Sequence, residues 1–208
     1  MNIFKIFVFI FVLNFLSTLD VLGFKGLEAA IYNSYMSQGH GRWSSLKLSL
    51  GDDVFYRAVN STDYSDFVFS VDFPGESCSP HVEGHFSQST SAETTEYIRV
   101  APAFFRVDRY PVHEALVEYS TVRGDKTVYF EFALADMARL ENEMKQGNVL
   151  RLKLEPIYGP GDDVFVELSL VGSRAALDRA YALCINNQSN PQDFFQEEVT
   201  PSEAEEYF

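Results

Sequence analysis

Cys78, His81, Glu83 and His85 form the tightest group of residues with chemical potential in the sequence. A thiolate and two imidazoles at Cys-x2-His-x3-His spacing suit a tetrahedral zinc ion, because both ligand types match a borderline-soft metal. A sulfur committed to a disulfide cannot also serve zinc, and His81, Glu83 and His85 alone would need a fourth ligand from elsewhere. The plainer reading is two surface histidines beside a cystine. His113, with Asp108 and Glu114 close in sequence, has the makings of a base with an orienting acid. No Gly-x-Ser-x-Gly turn supplies a nucleophile for it, so an exposed strand histidine is the expectation. The pairs Asp52/Asp53 and Asp162/Asp163 offer oxygen ligands for calcium but lack the further acidic positions of a strong loop site. No glycine-rich phosphate loop opens a helix. The sequence therefore assigns no catalytic, cofactor-binding or metal residue, and no cofactor. Asn60 and Asn187 begin glycosylation acceptor triplets, which matter only in a eukaryotic source.

The elements that would carry these residues are mostly strands, organised around residues 147–184. Residues 148–155 and 163–171 alternate as a half-buried hairpin, with Val149, Leu150, Leu152 and Leu154 on one strand and Val164, Val166, Leu168 and Leu170 on the other. Pro156, Gly159, Pro160 and Gly161 make the turn. Gly172 then breaks the strand and Ser173 is placed to cap a helix, with Ala176, Leu177, Ala180, Tyr181 and Cys184 at helical spacing.

Upstream, residues 24–42 read as a short entry helix followed by a turn at Gly39-His40-Gly41. Strands follow from Trp43, over 54–59 and over 67–73, where Phe67, Phe69, Val71 and Phe73 share one side. Residues 81–85 continue as strand, and 87–95 are too polar to bury anything. Residues 97–107 resume the sheet, and Pro102 is expected on an edge or at a bulge because it lacks an amide donor. Strands over 112–122 and 127–132 precede a helix over 134–146 carrying Met137, Leu140, Glu141 and Met144, with Gly147 as its C-terminal cap. Gly51-Asp52-Asp53-Val54-Phe55 recurs as Gly161-Asp162-Asp163-Val164-Phe165, a recurrence that the suitability of Gly-Asp for turns explains without duplication.

The chain of 208 residues, 46% hydrophobic and 15% aromatic, is sized for one domain with a substantial core. Residues 1–23 read as a signal peptide: Lys5 gives a basic start, 6–13 an apolar run, and Val21-Leu22-Gly23 a cleavage site. An uncleaved anchor is the alternative, but the run is shorter than the roughly 20 residues that span a bilayer. The domain is expected over 24–185, and 186–208 as an acidic, disordered tail. No membrane span is expected after cleavage. The net charge of -14 argues against nucleic acid and anionic lipid, which such a surface repels.

Two cysteines in an exported protein read as one disulfide, Cys78 to Cys184, with free thiols or a bridge between chains as the alternatives. The fold class that follows is mostly β: an antiparallel β-sandwich-like domain with one or two packed helices and a single disulfide.

Trp43, Asp52-Asp53, the cysteine after the 67–73 strand, Val107-Asp108, Pro111-Val112, and an ending of Ser169-Leu170-x-Gly172-x3-Ala176-Leu177-x6-Cys184 occur in an order with a parallel. Over roughly 43–184 the chain resembles the periplasmic type VI secretion accessory proteins, VasI/TagO-like, and more distantly the invasion-associated locus B family. The resemblance implies a small disulfide-bonded sandwich in the periplasm or outside the cell, with no catalytic residues to transfer. The acidic aromatic tail and the Ser/Thr-rich loop depart from that pattern. The expected function is an exported, non-enzymatic binding or accessory protein of the cell envelope, periplasmic or secreted, acting on a protein partner and associated with a secretion system. The alternative is a secreted hydrolase or metal-dependent enzyme using the His81/Glu83/His85 region.

Overall fold

Alternation of apolar and polar residues carries most of the architecture, and ten strands result among the described residues. A computed structural model describes residues 33–87, 90–93, 96–155 and 163–188. The expected signal peptide, the helical positions expected over 27–31, the turn expected over 156–162 and residues 189–208 lie outside the described residues.

In chain order the strands are β1 (Asn33–His40), β2 (Trp43–Leu50), β3 (Asp53–Asn60), β4 (Phe67–Pro74), β5 (His81–Ser87), β6 (Glu96–Val107), β7 (His113–Thr121), β8 (Thr127–Leu134), β9 (Val149–Leu154) and β10 (Val164–Ser169). Helix α1 (Met137–Gln146) precedes β9, and α2 (Ser173–Gln188) follows β10. All pairings are antiparallel, in the order β1-β2-β3-β4-β5-β8-β7-β6-β9-β10.

The sheet is rolled so that β1–β5 face β8-β7-β6-β9-β10. Phe69 of β4 reaches Phe105 of β6 across the interior, ring centroids 6.3 Å apart, and Phe67 stacks on Phe130 of β8 at 5.5 Å. Phe105 in turn meets Phe132 edge-on at 4.8 Å, a geometry favoured by the aromatic quadrupole. The ends of the sheet meet at one corner. The Trp43 indole donates to the Ser169 carbonyl at 2.7 Å, and the Arg42 amide donates to the Val171 carbonyl at 3.0 Å. The expected fold class is the one observed.

Helix α2 lies across β1–β4, burying Ala176, Leu177, Ala180 and Cys184. Cys184 is joined to Cys78, their Cα atoms 5.8 Å apart, so the covalent tie holds the helix to the loop after β4. Arg179 adds a polar tie, donating to the Ser45 hydroxyl at 2.9 Å. Ser173 does not cap the helix as expected. Its hydroxyl donates to the carbonyls of Met144 (2.7 Å) and Leu170 (2.9 Å), linking the two helices, while the amide of Ala176 donates to the Gly172 carbonyl.

Two boundaries also differ from expectation. Residues 33–40 form a strand because they pair with β2 through a tight turn at Gly41 (φ +75°), which a helical segment could not do. Helix α1 starts at Met137 because the Asp136 side chain accepts from the Arg139 amide at 3.0 Å, while Leu134 ends β8. Pro102 sits where it was expected. It follows a register shift in the β6–β7 ladder and precedes Ala103, where the β9 pairing begins, so no ladder bond is lost. Among the described residues no helix is long and apolar enough to cross a membrane.

Candidate functional site: an aromatic and basic groove

The residues singled out for chemistry fall in three places. His81, Glu83 and His85 do share one face of β5, as alternation requires, but that face is the outer one and Cys78 is in the disulfide. Glu83 lies opposite Glu131 of β8, which lies opposite Glu118 of β7, and Asp72 of β4 stands beside them. Arg57 of β3 bridges this acidic row. Its Nε donates to Asp72 at 2.6 Å and its Nη2 to Glu83 at 3.0 Å. Among the described residues no group of three or more His, Cys, Asp and Glu side chains is placed to hold a metal ion.

Withdrawal from water and the neighbouring Asp72 charge raise the Glu83 carboxyl to about 8, with Arg57 opposing. Burial raises Glu131 too, aided by Glu118 and Asp72 and opposed by His81. Burial beside Arg57 lowers His85. The Glu83 side chain keeps 38% of its surface accessible although it is hemmed in by these neighbours, so the full shift overstates its share of stability.

The sign of the resulting pH effect is fixed. A carboxyl raised on folding contributes stability that is complete below its unfolded value near 4.3, and loses it as pH rises through the folded value. Glu83→Gln is therefore expected to gain stability relative to the native chain between pH 5 and 8.5, by on the order of 1–2 kcal/mol after discounting for exposure. Denaturant melts across that range check it; parallel pH profiles for the two proteins would remove Glu83 as the titrating group.

His113 is not the exposed strand histidine of the sequence reading. It is buried, its Nε2 2.8 Å from the Glu143 carboxylate, and Glu143 also accepts from Arg139 at 3.0 Å. The expected acid Asp108 does other work: its carboxylate accepts from the backbone amides of Asn148 (2.9 Å) and Val149 (3.0 Å), which lowers its pKa. Asp108 thus fastens the turn after β6 to the start of β9. Glu143 was missed because it comes from a helix 30 residues away. Asp163 pairs with Lys153 at 2.9 Å, and Asp162 is outside the described residues. Asn60 is buried, its amide donating to Asp63 at 2.7 Å and to the Ser169 carbonyl at 3.3 Å, so in the folded chain its nitrogen is committed to the sheet corner.

A concave feature lies elsewhere, on the outer face of β6, β9 and β10. A groove of about 450 Å³ is lined by Phe104, Arg106, Arg151, Lys153, Phe165 and Glu167, closed by Tyr64 and Val112 from flanking loops. The strands place these residues by alternation: Ala103, Phe105 and Val107 turn inward, Phe104 and Arg106 outward. Phe165 is 72% exposed, and the Lys153 ammonium sits 5.2 Å from the Phe104 ring centroid. Arg151 meets Glu167 at 2.9 Å, and Arg106 donates to the Tyr110 carbonyl at 3.1 Å.

Strand β10 ends the sheet, but its edge is partly covered. The Glu167 amide donates to the Tyr64 hydroxyl at 3.1 Å and the Ser169 amide to Asp63 at 2.7 Å. A ligand is thus offered the face of these strands rather than a free edge. The sequence signal was a phenylalanine at two outward positions of amphipathic strands, Phe104 and Phe165. Tyr64 and Val112 come from loops and gave none.

Neither a family model nor a curated protein matches the chain. Among solved structures, invasion-associated protein B from Bartonella henselae is similar at a TM-score of 0.48 and 15% identity, over 72% of this chain and 98% of that one.

Proposed function

We propose that the chain is a non-enzymatic binding domain of the cell envelope or extracellular space, which engages a protein partner through the Phe104/Phe165 groove. The observation that carries this reading is the combination of exposed aromatic rings and three cations in one cavity on a chain of net charge -14. Aromatic side chains with arginine are the residues that concentrate binding energy at protein interfaces. The disulfide supports an oxidising compartment. Association with a secretion apparatus is the narrower form of this role, implied only by the sequence resemblance to type VI accessory proteins; secretion components encoded by the neighbouring genes would support it.

Capture from an envelope extract tests the groove. Full-length protein carrying Phe104→Ala and Phe165→Asp is expected to recover the specific partner roughly tenfold less than the native chain, the loss of an aromatic hot spot. Tyr181→Ala, on α2 and away from the groove, serves as control. Equal recovery by the native and groove-altered proteins, or none by either, overturns the reading.

A further inference from the structure

Within that reading, the chemistry of the groove specifies an occupant. Its walls are the rings of Tyr64, Phe104 and Phe165 with the aliphatic Val112, and its charged lining is Arg106, Arg151 and Lys153 against Glu167, with Lys153 also paired to Asp163 at 2.9 Å. The complementary ligand carries aromatic side chains flanked by carboxylates. The chain itself contains such a segment. After Arg179 there is no Lys, Arg or His, and Glu203, Glu205 and Glu206 lead directly into Tyr207 and Phe208.

Reach selects this segment over the other acidic aromatic one, Asp193-Phe194-Phe195. Helix α2 ends at Gln188, whose amide donates to the carbonyls of Gly75 (3.2 Å) and Glu76 (2.8 Å). Those residues lie at the far end of β4 from Tyr64. Following β4 back covers roughly 26 Å, and crossing from one half of the sheet to the other adds roughly 10 Å. Residues 189–195 span at most about 25 Å extended, whereas 189–208 span up to about 70 Å. Only the distal segment reaches.

We infer that residues 203–208 occupy the groove of their own chain, Tyr207 and Phe208 against Phe104 and Phe165 and the glutamates beside Arg106 and Arg151, so that an incoming partner must displace them. This rests on the groove being the binding site proposed above. The ion pairs already present, such as Arg151 with Glu167, are exposed and exchange at little cost. Displacement makes the tail a regulator: a partner meets the full affinity of the groove only when the segment is out.

A photo-reactive benzoylphenylalanine in place of Phe165, in the full-length chain, tests this. Irradiation of dilute purified protein is expected to join position 165 to the peptide containing 203–208 within a monomer. The yield should fall severalfold in 1 M salt, which screens the charges. It should also fall severalfold in a chain carrying Glu203→Gln, Glu205→Gln and Glu206→Gln, changes that leave the sheet and its core untouched. The same triple substitution is expected to raise partner capture severalfold. An adduct on another segment, a covalent dimer joined through a second copy's tail, or no adduct overturns the inference. Partner adducts in an envelope extract without any tail adduct would leave the groove reading standing and remove the tail alone; absence of both removes both.

Discussion

Full-length protein with Cys78→Ala and Cys184→Ala together is expected to lose about 2–5 kcal/mol of folding stability, the effect of opening a loop of this size in the chain-entropy model. The two sulfurs are 106 residues apart in sequence, so the crosslink restricts the unfolded chain strongly, and the benefit grows only with the logarithm of loop length. The native state also has a stake. Helix α2 is held at its start by Ser173 and Arg179, but its last turns are held by Cys184 and by Gln188 against the loop after β4. Without the crosslink that loop must keep Cys78 at a positive φ of 51°, a conformation unusual for a side-chain-bearing residue, with no covalent tie to hold it there. Denaturant unfolding of the oxidised and double-alanine proteins checks this. A midpoint unchanged by the double substitution would show that packing of α2 alone holds the sheet. Both cysteines are buried, so a reductant should open the bridge in native protein only at the rate of local unfolding, and much faster near the denaturant midpoint.

How far the sequence anticipated this arrangement depended on the range of the interactions involved. Strands whose inward residues are all apolar, such as Phe67, Phe69, Val71 and Phe73 on β4, were legible because alternation is a local property. The disulfide was legible because a chain with two cysteines has one internal pairing. Strand β1 was not: its exposed residues Asn33, Ser34 and Tyr35 carry no alternation, and only pairing with β2 makes them a strand. Nor was the step in strand order from β5 to β8, which leaves β6 central and brings β9 to its other side. The buried His113–Glu143 pair and the groove have the same cause. Each is assembled from side chains on elements distant in sequence, and the pattern along any one of them shows only that a polar or aromatic residue points away from where it was expected.

The corner where the two ends of the sheet meet makes the second strong prediction, because it depends on glycines rather than on apolar pattern. Gly172 has φ +95°, and a Cβ there would lie 1.3 Å from the His40 carbonyl oxygen, an overlap between two backbones that no side-chain movement relieves. Gly41 across the corner has φ +75°, and a Cβ there would lie 3.0 Å from the Val171 carbonyl oxygen. Gly172→Ala is therefore expected to cost on the order of 3–5 kcal/mol. About 1–2 kcal/mol comes from the left-handed conformation, and the rest from loss of the Arg42–Val171 and Trp43–Ser169 hydrogen bonds as the strands separate. Gly124→Ala provides the control, since Gly124 has a comparable φ of +85° and nothing within 4 Å of the added carbon. It should show the conformational cost alone. Trp43 is the single tryptophan of the chain and donates to Ser169 at this corner, so its emission reports the opening directly. Gly172→Ala should shift that emission to the red before unfolding, and Gly124→Ala should leave it unchanged. Equal destabilisation by the two substitutions would mean that the ends of the sheet are not locked together, and that the halves are held facing each other by their aromatic interior and the β5–β8 pairing alone.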